Sequence, residues 1–480
     1  MSNVSTPLWN LFDEVSLGQG QKLAIIQSAT GESLSYAALR SKAIEFSEAL
    51  SELPYKAVAI VGEPDLNLLP IFLSAAQLGV ACVPLSDSGP NEVLADVLSA
   101  LPVDCLVLST RKLPGLKEEQ QFIRKGVDFF AYVSSGRVSE TPIAIPYLVT
   151  HSSGSTGRPK PIAIRQETKI KRTQQSIRLF GVNSSDVILS VSPLHHSLGQ
   201  RHLFLALLTG ATLVKAHPFR VDGWLKAVET YRPTLAIPVA THLKILRPSI
   251  LLAPSLLDSF RIIVTSSAPA EPEFKRQILD GAGFAFWEIY GMTETACATA
   301  ILYSAGANTD TLGSALPGTE IRIKGEGIGE IEVKSDCLCD GYWGDDERWV
   351  ASFTSDGFFK SGDLGRLDAN GNLTYLGRVN ESFQTAGLMV YPADIEKVVL
   401  QMPDITDCVA YPIPNAVFEN IVGLVVASAA NLQVQEIARH CRSQLPKHMW
   451  PAGIERLEEL PRLASGKVDR STFFVQNLSL

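Results

Sequence analysis

The sequence predicts an α/β protein: a large N-terminal region of layered α/β subdomains, followed by a small α+β C-terminal domain. Three observations predict it. Between residues 34 and 289, short buried-strand runs alternate with helical periodicities, the pattern of parallel α/β layers. From Thr319 the pattern changes to period-two alternation broken by glycine turns. The residues after 378 again mix helix and strand, enough for a small separate domain.

Residues 34–50 (LSYAALRSKAIEFSEAL) carry a helical apolar stripe after a short strand, and 56–61 (KAVAIV) reads as a buried strand. A helix over 68–78 ends at Gly79, and strands follow at 80–85 and 104–108. Further on, 168–179 and 203–208 read as helices and 187–192, 212–215, 261–265 and 284–289 as strands. Three of these strands run into loops rich in hydroxyl, histidine or acidic residues: PLHHSLGQRH, SSAPAEPEF and YGMTET. In open α/β sheets, sites form beyond the carboxyl ends of strands. EIRIKGEGIGEIEVKSD and residues 358–376, with ANGN as a turn, read as antiparallel hairpins. A domain boundary is placed at 377/378, giving domains 1–377 and 378–480.

A chain of 480 residues predicts two to four structural units. With 46% apolar and 19% charged residues it has the composition of a soluble globular protein. The 42 basic and 50 acidic residues give a net charge of −8 without a long basic run, which argues against a general nucleic-acid binder. Seven scattered cysteines, with Cys337 and Cys339 the only close pair, read as reduced, unligated thiols of a cytoplasmic protein. No secretory signal is evident at the N-terminus, and no apolar run is long enough to span a bilayer.

The stretch from Val149 to Lys160 (VTHSSGSTGRPK) follows an apolar run at 143–149 that reads as a strand. Five hydroxyl residues and two glycines fall between Thr150 and Gly157, and Lys160 closes the loop. Gly154 and Gly157 let the backbone turn, and successive N–H groups there can cradle phosphate oxygens. Ser152, Ser153, Ser155 and Thr156 add donors. The spacing is not that of a Walker A loop. Taken alone, the stretch reads either as a polyphosphate cradle or as a polar Ser/Gly linker.

Four ordered stretches together resemble the adenylate-forming (AMP-binding) superfamily, of the stand-alone acyl-CoA synthetase and acyl-AMP ligase type: SSGSTGRPK, YGMTET, SGDLG with YLGR, and LPRLASGKVDR. The resemblance runs from SYAAL to GKVDR. It implies a large N-terminal AMP-binding domain of α/β subdomains with a small β-barrel, and a small mobile C-terminal domain carrying a catalytic lysine. It implies ATP and Mg²⁺ as cofactors. Ser152 to Lys160, with Ser153, Gly154, Ser155, Thr156 and Gly157, look like the loop that grips the β- and γ-phosphates. Tyr290, with Gly291, looks like the adenine-stacking element, and Ser267, Ala268 and Pro269 like a further nucleotide-binding stretch. Thr293 looks like the α-phosphate ligand and Glu294 like the Mg²⁺ ligand, an oxygen donor suited to a hard cation. Asp363 looks like the carboxylate that accepts both ribose hydroxyls, and Arg378 like the arginine beside the ribose and phosphate. Lys467 looks like the catalytic lysine, and His196 like the histidine near the acyl pocket.

The implied reaction activates a carboxylic acid to an acyl-adenylate with release of pyrophosphate. The acyl group then passes to the phosphopantetheine thiol of coenzyme A or of an acyl or peptidyl carrier protein. Alternatives are an amino-acid adenylation enzyme, an amide-forming ligase with an amine acceptor, and a degenerate nucleotide-binding scaffold. The stretch after SPLHHS lacks the Phe-Asp pair that holds an α-ammonium in amino-acid-activating relatives, which favours an acid without an α-amino group. His195, His196 and His202 carry no carboxylate or cysteine at ligand spacing. Pro161, Ser266 and Ser267 depart from the family's glycines, which points to a small or functionalised acid. Asn380 and Gln384 depart from its hinge residues, whereas Gly387 matches the glycine that lets a pantetheine arm pass.

Overall fold

The computed structural model describes residues 6–88, 91–113, 116–118, 130–135, 144–152, 159–266, 272–279, 283–303, 311–428, 432–462 and 468–475. They form two compact units. One comprises Met1–Glu320 with Lys334–Gly357, the other Ile321–Val333 with Phe358–Leu480. The boundary expected at 377/378 falls inside the second.

The first unit contains two large sheets. Among the described residues one has eight strands, in the order Gly341–Tyr342, Lys160–Ile164, Leu148–Ser152, Ala81–Leu85, Ala57–Val61, Cys105–Ser109, Phe130–Ser134 and Lys117–Glu118. Its centre is parallel, and every residue of Ala57–Val61, Ala81–Leu85 and Cys105–Ser109 is buried. That is why these segments read as continuous apolar runs rather than alternating ones. The second sheet has nine strands, in the order Ser314–Ala315, Ala296–Tyr303, Ala285–Met292, Ile262–Thr265, Leu235–Ala236, Val187–Ser190, Thr212–Lys215, Leu23–Gln27 and Ser33–Ser35. From Ala285–Met292 to Leu23–Gln27 it is parallel.

Local chemistry sets the helices. The helix Tyr36–Ser51 starts where the Ser35 side chain accepts the Ala38 N–H, and buries Tyr36, Leu39, Ala43, Phe46 and Leu50 at helical spacing. The helix Ile71–Leu78 ends at Gly79 in the left-handed region, as expected. Gln166–Phe180 is different: its buried stripe is largely polar, with Thr168, Lys169, Arg172, Thr173 and Ser176 facing inward. Ser197–Thr209 begins six residues before the expected 203–208. Its first turn is pressed so close to the preceding loop that a Cβ on Gly199 would lie 2.2 Å from the Pro193 carbonyl oxygen.

The second unit holds the expected hairpins as a four-stranded sheet, in the order Thr319–Ile323, Gly329–Ser335, Phe359–Leu367 and Leu373–Arg378. The ANGN turn forms as Asp368 accepts the N–H groups of Asn370 and Asn372. A three-stranded sheet, Asp407–Asn415, Glu419–Ala427 and Pro451–Leu457, packs on the helices Pro392–Val399 and Val434–Gln444.

Two histidines are built into the first unit in neutral form. His202 is fully buried, with Nδ1 3.3 Å from the Ser190 hydroxyl, and burial followed by the nearby Arg201 charge pushes its pKa down to about 3. Burial pushes His151 down to about 4. Unfolded histidine titrates near 6.5, so the unfolded chain binds these protons first. The stability each contributes is complete above pH 6.5 and is lost as pH falls toward 4, at about 1.4 kcal/mol per pH unit per histidine. Urea unfolding is therefore expected to show a falling midpoint from pH 6.5 to 4, with a shallower fall in His202→Leu. An unchanged slope in that variant contradicts the assignment.

Candidate active site

The strands Leu148–Ser152 and Lys160–Ile164 pair antiparallel, with Ser152 opposite Lys160 and His151 opposite Pro161. Ser152 and Pro159 are the last described residues on either side of the hydroxyl-rich stretch. Lys160 Nζ lies 3.9 Å from Glu294 Oε1 and 5.4 Å from the ring centroid of Tyr342.

Glu294 belongs to a second hairpin. Ala285–Met292 and Ala296–Tyr303 pair antiparallel, with Met292 opposite Ala296, so Thr293, Glu294 and Thr295 form the loop. Ala296 takes φ 60°, a left-handed conformation that closes three-residue loops. The Thr295 hydroxyl accepts the Met292 N–H at 3.2 Å. Gly291 has no room for a side chain, since a Cβ there would lie 1.7 Å from the Ala296 carbonyl oxygen. Tyr290, on the same strand, is buried.

Three further groups hold this loop. Arg172 donates from Nη1 to the Thr293 carbonyl at 3.0 Å, from Nη2 to the Glu294 carbonyl at 2.8 Å and from Nε to the Cys337 carbonyl at 2.8 Å. The Cys339 N–H also donates to the Glu294 carbonyl, at 2.7 Å. Tyr342 donates its hydroxyl to Glu294 Oε1 at 3.1 Å, and burial, followed by the Glu294 charge, holds its pKa above the usual phenol range. Thr293 Oγ1 reaches Ser197 Oγ at 3.4 Å. Ser152, Lys160, Thr293 and Glu294 therefore stand at the tips of two hairpins, with Lys160 and Glu294 in direct electrostatic contact.

His196 is the residue just before the helix Ser197–Thr209, its ring 4.3 Å from that of His195. His195 Nδ1 and His242 Nδ1 are buried without a hydrogen-bond partner among the described residues. His242 stacks on Phe219 at 4.1 Å. Burial, then the charge of His217, pushes both His195 and His242 down to about 4. These imidazoles follow three neighbouring parallel strands, Val187–Ser190, Thr212–Lys215 and Leu235–Ala236.

In the second unit Asp363 and Arg378 are direct cross-strand partners, and Arg378 Nη1 lies 2.9 Å from Asp363 Oδ1. Asp363 is buried and Arg378 is 44% exposed by its side chain, so the pair presents a carboxylate edge beside an accessible cation. Asn380 lies in the exposed turn that follows. Gln384 and Gly387 belong to the hairpin Phe383–Thr385 and Leu388–Val390, which turns through Ala386 at φ 53° and Gly387 at φ 75°. Ser153, Gly154, Ser155, Thr156 and Gly157, the stretch Ser267, Ala268 and Pro269, and Lys467 lie outside the described residues. The flanks of Lys467 are fixed: Arg462 bridges Val468, and Arg470 makes a bidentate pair with Glu396 at 2.6 and 3.1 Å and meets Glu381 at 3.0 Å.

Sequence reasoning missed Arg172, Tyr342, Glu396 and Arg470. Arg470 had a signal, the final letter of GKVDR. Arg172 stood in a polar helical stretch with no motif, and Tyr342 in a two-residue strand.

A family model described as AMP-binding enzyme matches residues 12–343, and one described as AMP-binding enzyme C-terminal domain matches residues 394–467. Among curated relatives, the 2-succinylbenzoate–CoA ligase of Bacillus pumilus is 31% identical over 332 residues, 67% of this chain and 67% of that protein. Among solved structures, ATP-bound MatB from Rhodopseudomonas palustris superposes with a TM-score of 0.82 at 23% identity, covering 97% of this chain and 98% of that one. The amide bond synthetase McbA from Marinactinospora thermotolerans gives 0.81 at 22% identity, covering 98% and 99%. At these identities the structures bear on fold alone.

Removing the Arg172 guanidinium leaves buried carbonyls without their donor, each costing about 1–3 kcal/mol. Arg172→Met is expected to destabilise the first unit by about 3 kcal/mol or more, and Gly291→Ala by about 2 kcal/mol or more, both read by urea unfolding. A wild-type midpoint in Gly291→Ala would show that the strand approach is looser than described.

Proposed function

The chain belongs to the AMP-binding enzyme family, and from that premise we propose that it is an ATP-dependent acid–thiol ligase. It activates a carboxylic acid to an acyl-adenylate and transfers the acyl group to a phosphopantetheine thiol. The single observation that carries the reading is the convergence of Lys160, Thr293 and Glu294 on two hairpin tips. A carboxylate oxygen attacks the α-phosphorus of ATP, and the bond from that phosphorus to the bridging oxygen breaks, its electron pair leaving with pyrophosphate. Two anions must approach, so positive charge at the site lowers the barrier. Lys160 supplies one such charge at the phosphate-binding hairpin. Thr293 offers a hydroxyl to the α-phosphate, and Tyr290 a ring to the adenine. Asp363 accepts the ribose hydroxyls beside Arg378, and Lys467 brings a second cation to the reacting carboxylate.

Mg²⁺ fits the residues present. Glu294 is a buried carboxylate with Oε1 bonded to Tyr342, and Mg²⁺ is commonly held by one or two carboxylates, substrate phosphates and water. When bound it would neutralise phosphate charge. In the second half-reaction the thiol sulfur bonds to the acyl carbon, AMP leaves and the thiol proton is released. Rotation of residues 378–480, with the turn at Asn380 as pivot, would let one site serve both steps. Coenzyme A and a separate carrier protein offer the same arm. The departures at Asn380 and Gln384 favour an amine acceptor as the second reading.

His195 and His242, neutral at pH 7 with unpartnered buried nitrogens, support a functionalised acid rather than a long fatty chain. All seven cysteines are free and buried, which supports a reducing, cytoplasmic setting. No helix among the described residues is long and apolar enough to cross a membrane.

Acid-dependent ATP–pyrophosphate exchange across short, aromatic, long-chain and amino acids tests the reading. Exchange is expected with short or aromatic acids, and Lys467→Ala is expected to lose it by about 10²-fold or more while retaining ATP binding. ATP binding without exchange for every acid would favour a nucleotide-binding scaffold.

A further inference from the structure

The polar stripe of the helix Gln166–Phe180 faces the first turns of Ser197–Thr209, and a cavity of about 30 Å³ lies between them, beneath the loop that carries Thr293. Its walls are unusual for an interior. Lys169, Arg172 and Arg201 all line it, joined by Ser197, Gln200 and Thr293. Lys169 is 5% exposed and Arg172 9%. Arg172 is satisfied by the three carbonyls it clamps. Lys169 is not: its ammonium lies 4.4 Å over the Phe204 ring, and among the described residues neither it nor Arg201 has a hydrogen-bond or ion-pair partner. Burial, then Arg172 and Arg201, hold the Lys169 pKa well below the usual lysine range.

Keeping Lys169 protonated here without a counter-charge costs several kcal/mol, and the two neighbouring guanidinium groups add repulsion, which is why its pKa is lowered. The cost is removed if the cavity holds an anion. The space of about 30 Å³ is enough for one small ion or a water or two. The wall supplies the guanidinium groups of Arg172 and Arg201, the Ser197 hydroxyl, and Lys169, whose protonated form a bound anion favours. We propose that this cavity is a binding site for a small monovalent anion of the halide class, held by Lys169, Arg172 and Arg201. The bound anion balances the charge of the cluster. Through Arg172 it also fixes the carbonyls of Thr293 and Glu294, so the loop is set by the anion occupancy of a cavity behind it. The site borders Thr293, which the proposed reaction also uses, so the two are separated by their readouts.

The test is thermal unfolding of the full chain at fixed ionic strength, with chloride or bromide exchanged against gluconate, a far bulkier anion. Wild type is expected to gain about 3 °C in Tm with a saturable dependence on halide. Lys169→Met removes the unpaired cation, and is expected to melt in gluconate at or above the wild-type temperature and to ignore halide. Arg201→Gln, a partly exposed change that keeps the fold, is expected to need about tenfold more halide. Crystals grown in bromide are expected to show its anomalous signal between Lys169 and Arg201. A wild-type Tm that is the same in chloride and gluconate overturns the proposal, as does a full halide response in Lys169→Met. Because the readout is stability, failure of the ligase reading leaves it untouched, and its own failure leaves the ligase reading standing.

Discussion

Arg172 donates to three carbonyls from two separate loops, and the placement of Thr293 and Glu294 follows from those bonds. Backbone carbonyls buried away from water need donors, and a three-residue loop cannot supply them itself. A guanidinium can, since its planar fork reaches several acceptors at once. The inward face of its helix must therefore be polar, and that requirement propagates. Thr168 turns to Asp340, Gln166 to the Leu8 N–H and the Ala76 carbonyl, and Gln200 to Thr150 and the Leu194 carbonyl. Much of this part of the interior is held by directed bonds rather than by apolar packing.

That choice explains what the sequence made legible. The buried parallel strands were readable because they are covered on both faces, and the ends given for Thr212–Lys215 agree to the residue. The YGMTET loop was readable because a hairpin tip must turn within a few residues. The helix Ser197–Thr209 was read short because Ser197, Gln200 and Arg201 interrupt the apolar period, and they do so because they face a polar cavity. The strand Ala296–Tyr303 was missed because the loop before it is only three residues long and carries the motif itself. Arg172 was invisible for a deeper reason. Its partners are carbonyls, which every residue has, so no side-chain pattern marks it.

In the second unit the legible part was again local. SGDLG and YLGR are neighbours in a hairpin, so Asp363 and Arg378 meet by register alone. The Glu396, Glu381 and Arg470 cluster joins segments up to 89 positions apart, and only the fold brings them together. A half-buried ion cluster of this kind contributes less to stability than to specifying one arrangement, since each charge needs the others in place.

The pairing of Ser152 with Lys160 separates two kinds of length in one short stretch. Residues added to the hairpin tip lengthen a loop, and the strands on either side keep their phase. A single residue added within Lys160–Ile164 reverses which face each following side chain points to. Ile162 and Ile164, both core residues, would turn to the face that Ala163 packs, or Lys160 would turn away from Glu294 to spare them. Descendants of this chain can therefore vary in length between Ser152 and Pro159, while the strand that carries the lysine has no freedom to change its count.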